Sequence, residues 1–154
     1  LAGKAARTIH RRFVETLGGD VCPENVLRLR ESTLRAAGLS GNKLGAIRDL
    51  ATKIRSGELR VHDLGMQADE EIVRRLTIVK GIGEWTAQMY LMFRLRRPDV
   101  WPVGDLAVRA GYARVQSMTE RPSKKELEPL GDPYRPWRSA AAWYCYRALE
   151  TELT

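Results

Sequence analysis

Cysteine is nearly absent from this chain: Cys22 and Cys145 are its two thiols in 154 residues, far apart and in no CxxC pair. A cysteine-held zinc or iron–sulfur site needs more thiols or paired spacing, and a secreted disulfide scaffold needs a dense framework. Both are excluded, and a reducing compartment is expected. Long apolar runs are also missing, because Lys or Arg interrupts every hydrophobic stretch well short of the roughly 18 residues that a spanning helix needs. No membrane partner is expected. His10 and His62 have no ligand-like companions, so no metal site is expected either. The chain opens at Leu1-Ala2-Gly3-Lys4 without an initiator Met or an apolar signal core, and reads as a fragment beginning mid-pattern. No stretch alternates in the strand manner, and there is neither an internal repeat nor a low-complexity tract.

What the chain has is helical periodicity and positive charge. Its length suits one compact domain or two small lobes, enough to bury roughly two-thirds of the unfolded surface without staples. Lys and Arg number 26 against 19 Asp and Glu, a net charge of +7 that suits a polyanionic partner, nucleic acid first. Ala6, Ile9, Phe13 and Leu17 form one apolar helical stripe, and Leu44, Ile47, Leu50, Ala51 and Ile54 form another. Gly18-Gly19 and Ser56-Gly57 stop these helices. Ile72, Val73, Leu76 and Val79 predict a third helix, with Asp69, Glu70 and Glu71 where a helix N-terminus favours negative charge. Pro98 and Pro102 bracket an extended linker, Asp105 can cap a helix carrying Leu106, Val108 and Tyr112, and a final helix runs from about Trp137. The fold class is all-α.

The most informative stretch is Leu76-Thr-Ile-Val-Lys-Gly-Ile-Gly-Glu-Trp-Thr-Ala-Gln-Met-Tyr90. It reads as helix, hairpin, helix. Gly81 and Gly83 allow a tight turn with backbone close to a ligand, Ile82 can plug the space between the helices, and the next helix presents unpaired N–H groups at its positive end. A phosphate fits there, with Lys80 adding charge, and such a backbone clamp reads no bases. An ordinary helical corner with packing glycines is the alternative.

The run Val79-Lys-Gly-Ile-Gly-Glu-Trp-Thr-Ala, followed by Trp101-Pro-Val-Gly-Asp-Leu-Ala-Val-Arg109, resembles the helix-hairpin-helix DNA glycosylase superfamily, and within it the 3-methyladenine DNA glycosylase II type. Lys4-Ala-Ala-Arg-Thr-Ile9 resembles an early helix of that family, and Arg135-Pro-Trp-Arg-Ser-Ala-Ala141 resembles the start of its C-terminal helix. The resemblance implies a two-lobed helical fold with a cleft for a nucleotide turned out of the duplex. Residues 1–104 would form a lobe carrying the hairpin at 80–83, and residues 105–154 a second lobe across the cleft. The first lobe is expected to be incomplete, since family members carry a wedge segment just before the match to Lys4-Ala5-Ala6.

By the same resemblance Asp105 is the catalytic carboxylate, and Lys80, Gly81, Ile82 and Gly83 bind DNA phosphate. A carboxylate there suits an oxocarbenium-like sugar, whose positive charge it can stabilise or toward which it can orient water. An N-cap role alone is the alternative. Bifunctional relatives carry a Schiff-base lysine two residues after the second hairpin glycine, the position of Trp85 here, and cluster-containing relatives need four C-terminal cysteines. The implied enzyme is therefore monofunctional and hydrolyses alkylated, already cationic purines. Trp85, Met89 and Tyr146 fall on base-pocket positions, with Tyr146 where the family often has Trp. Trp85 and Tyr146 suit core and pocket equally, whereas Trp137, Trp143 and Tyr144 read as core. Arg109, one turn beyond Asp105, can hold that carboxylate or a phosphate, or face solvent. No cofactor is expected, with a hairpin-bound monovalent cation left open. The expected partner is damaged double-stranded DNA, bound by a monomer in the cytoplasm of a bacterium or the nucleus of a eukaryote. A non-catalytic DNA-binding module and an inactive fragment remain as alternatives.

Overall fold

The computed structural model describes residues 3–150, which form helices and no strand. They divide into two compact units, one ending at Gly83 and the other starting at Glu84. The sequence reading put the division at 104/105. It falls earlier because side chains join residues 84–104 to the later segments: Trp85 bonds to Asp105, and Ser139 bonds to Arg97 and Val100.

The first unit carries α1 (Gly3–Thr16), α2 (Pro23–Arg28), α3 (Glu31–Ala36), α4 (Gly41–Arg55) and α5 (Asp69–Leu76). Phe13, Leu17, Val26, Leu34, Ala37, Leu44 and Ala51 make its core, so the predicted stripe of α4 and the second half of that of α1 face inward, whereas Ala6, one turn from the start of α1, is exposed. Gly18 and Gly19 take φ of +75° and +87° after α1 and end it. Ser40 caps α4 through the Lys43 amide, but a cap is worth about 1 kcal/mol against roughly 1.5–3 for each fully buried leucine, so Leu44 and its stripe hold the helix in place. Arg48 of α4 reaches the carbonyl of Leu29 at 3.0 Å, satisfying backbone just past the end of α2. Periodicity over a long window does not detect α2 and α3, which are six residues each.

The second unit carries α6 (Glu84–Met89), continued by a π turn over Tyr90–Arg94, then α7 (Leu106–Val115), α8 (Lys124–Leu130) and α9 (Arg138–Glu150). Helices α7 and α9 pack backbone to backbone: a Cβ on Gly111 would land on the Cys145 carbonyl and lie 2.8 Å from its Cα. Trp101 is buried in the linker, donates Nε1–H to the Leu127 carbonyl at 3.0 Å, and packs with Tyr112 and Tyr134. The start of α9 is pinned by Arg138, which forks onto Asp99 with bonds of 2.6 and 3.0 Å.

This packing corrects one expectation. Trp137, Trp143 and Tyr144 are not core residues; they are 65, 46 and 65% exposed. The buried face of α9 consists of Ala142 and Cys145, small enough for the close approach at Gly111, and the large rings fall on the opposite faces. Trp143 stacks edge-on with Tyr144, and the Arg147 guanidinium lies 5.7 Å from its ring centre.

Candidate active site

The glycine hairpin closes the first unit. The Ile82 amide donates to the Val79 carbonyl at 3.0 Å, making the turn, and the Lys80 amide donates to Asp49 Oδ2 of α4 at 2.7 Å. Two of the four hairpin amides are thus spent inside the protein. The amides of Gly81 and Gly83 bond to no group among the described residues. Gly81 sits at φ +85° with the site of its missing Cβ 2.9 Å from the Ala46 Cβ, whereas a Cβ on Gly83 would meet open space. Two demands therefore require glycine at 81, a left-handed backbone and the closeness of α4. Substitution Gly81→Ala is expected to destabilise the protein by about 2 kcal/mol in urea unfolding, while Gly45→Ala, in open space inside α4, is expected to stabilise it slightly.

Asp105 begins α7 in extended backbone and is 6% exposed. Its Oδ1 accepts the amides of Ala107 and Val108 at 2.7 and 3.1 Å, the geometry of an N-cap. Its Oδ2 accepts Trp85 Nε1–H at 2.5 Å and the Tyr146 hydroxyl at 2.7 Å. Burial pushes this carboxyl toward its neutral form, and the donors Trp85, Tyr146, Val108 and Ala107 outweigh burial, so it ionises below the ordinary carboxylate range. The partner shift has the opposite sense: burial first, and then the bond to Asp105, push the Tyr146 phenol well above its ordinary value. The result is an anion facing a proton donor that does not itself ionise.

Of the three expected pocket residues, Trp85 is 52% exposed and lines a recess of about 390 Å³ together with Gly104, Asp105, Leu106 and Ala107. Leu106 is 59% exposed and lies at this opening, a residue that sequence reading placed only on the helix stripe. Tyr146 and Met89 sit half-buried behind the carboxylate, their Oη and Sδ 3.5 Å apart, and Phe93 lies against the Tyr146 ring. A comparable recess of about 410 Å³, among Trp101, Tyr112, Tyr134 and Tyr144, does not include Asp105.

Arg109 does not reach the carboxylate. Its Nε donates to the Pro122 carbonyl at 2.6 Å, because α7 turns that side chain toward the segment entering α8. Sequence reading missed Asp49, which holds the hairpin from 31 residues away, and no local pattern marks it.

The chain matches the family described as HhH-GPD superfamily base excision DNA repair protein over residues 1–136. It is 34% identical over 150 residues to DNA-3-methyladenine glycosylase 1 of Schizosaccharomyces pombe, covering 96% of this chain and 66% of the relative. Among solved structures, the Schizosaccharomyces pombe 3-methyladenine DNA glycosylase Mag1 in complex with abasic DNA matches with a TM-score of 0.90 at 33% identity, covering 98% of this chain and 75% of that one. A DNA-3-methyladenine glycosidase from Bacillus halodurans matches with a TM-score of 0.85 at 35% identity, over 98% of this chain and 70% of that one. The chain spans between about half and two thirds of the length of the curated relatives it matches. A glycine hairpin, an aspartate opening the helix beyond it and an indole on that aspartate are thus carried by a chain that belongs to the HhH-GPD superfamily of base excision DNA repair proteins.

Proposed function

We propose that this protein is a monofunctional DNA glycosylase that hydrolyses the N-glycosidic bond of alkylated, 3-methyladenine-like purines in double-stranded DNA. The observation that carries the reading is the Asp105 carboxylate, buried yet held anionic beside an exposed indole at a surface recess. Bond cleavage leaves positive charge on the sugar, and a fixed anion with few waters around it stabilises that charge far better than it would in bulk water. The departing base is already cationic, so it needs no strong general acid, and no cofactor is required. A half-exposed Trp85 offers an aromatic face to an electron-poor ring. The amides of Gly81 and Gly83 grip a backbone phosphate, which gives affinity independent of sequence and a net charge of +7 to draw the duplex in. A monovalent cation at the hairpin would act beside these amides. The names of its relatives support the same lesion class.

The position of Trp85 gives the reaction its monofunctional character. An indole donating its N–H to Asp105 stands where a Schiff-base amine would be needed, so water is the nucleophile and the product is an intact abasic strand. Incubation with methylated duplex is expected to release 3-methyladenine or 7-methylguanine, with strand breaks appearing only after alkali. Breaks without alkali would overturn the monofunctional assignment. No release despite duplex binding would favour a binding module in which Asp105 serves α7 alone.

A further inference from the structure

We propose that Tyr146 is a positioning residue whose hydroxyl, with the Trp85 indole, fills Oδ2 of Asp105 and so confines that carboxylate to the role of a fixed negative charge. The inference rests on the glycosylase reading above and adds the form in which the aspartate acts. A carboxylate has about four lone-pair sites. Here Oδ1 takes two backbone amides, and Oδ2 takes the indole and the phenol, so the carboxylate of Asp105 has no site left to remove a proton from water. Two of these donors come from the backbone of α7 itself and suit any N-cap. The other two come from side chains 20 and 41 residues distant, and a cap needs neither.

Geometry makes the phenol effective as a donor. The Tyr146 ring is wedged by Phe93, with centroids 6.4 Å apart, and its oxygen is 3.5 Å from Met89 Sδ, a weak acceptor that cannot compete with a carboxylate at 2.7 Å. The charged and titratable groups nearby do not replace it. Cys145 of α9 is buried and its thiol is pushed up to about 11. Arg109 of α7 turns to the Pro122 carbonyl, and Glu84 of α6 bonds Gln88. Lys124 of α8 approaches Gly104, the residue before Asp105, with its Nζ 3.8 Å from where a Cβ would stand.

The variant Tyr146→Phe keeps the ring and removes the donor. A hydrogen bond to a charged acceptor is worth enough to move a carboxyl by about one pH unit, so the Asp105 titration midpoint, read from its carboxyl carbon by NMR, is expected to rise by about that much. The acid limb of single-turnover base release should move up with it, because the rate needs the anion. In the unmodified protein that limb should lie below the ordinary carboxylate range. Tyr146→Trp, which restores an N–H donor on a comparable ring, should return the midpoint toward its original position. An unmoved midpoint in Tyr146→Phe would overturn the proposal, as would a rate lowered equally at every pH. The NMR midpoint needs no activity, so a shifted midpoint in a protein that releases no base would uphold the role of Tyr146 while sinking the glycosylase reading.

Discussion

Asp105→Asn is expected to lower single-turnover base release by roughly a thousandfold, about 4 kcal/mol, and to leave duplex binding and the fold intact. Asparagine caps a helix as well as aspartate does, so the amides of Ala107 and Val108 keep an acceptor. The other oxygen is the one that matters. An amide NH₂ at the place of Oδ2 would face the Trp85 N–H, donor against donor, and would carry no charge for the sugar. The measurement is release from methylated duplex under enzyme excess, with anisotropy of a labelled duplex for binding. Equal rates for the two proteins would remove the carboxylate from the reaction. Loss of binding together with release would make Asp105 a structural cap.

Gly111→Val is the second large effect, expected to destabilise the second unit by about 3 kcal/mol or more, a large share of a typical total of about 5–15 kcal/mol. Most overpacking in a core is relieved when a flexible side chain swings away. Here the obstacle is the backbone of Cys145, so α7 and α9 must separate. Separation also draws Tyr146, the next residue, away from Asp105. Urea unfolding followed by tryptophan fluorescence would measure the loss, with base release per folded molecule measured in parallel. A wild-type midpoint for Gly111→Val would show that the close crossing is dispensable.

These two residues also mark where the sequence could and could not be read. Asp105 was legible because a cap needs a short polar side chain just before an apolar stripe, and because the hairpin motif stands upstream of it. Gly111 was not, since glycine inside a helix carries no sign of what it approaches. The same blindness explains the rings in and just before α9. Trp137, Trp143 and Tyr144 look like core residues by type, but the partner of that helix is a bare backbone, and small residues won the inward face. The long stripes of α1 and α4 emerge because each spans several turns, with exposed Ala6 the exception near the start of α1, while α2, α3 and α8 are too short for a period to emerge. Trp85 could be named from the hairpin motif and Tyr146 from the resemblance along the last helix, but their bonds to one oxygen could not, because direction in a helix depends on rotations that residue type does not fix.

Asp105 draws its donors from the start of α6, the start of α7 and the middle of α9, so three separate helices must be in place before both of its oxygens are filled. Until α9 has docked, Oδ2 of Asp105 lacks the Tyr146 hydroxyl, so the last helix of the second unit completes the donor set of a carboxylate that opens an earlier one.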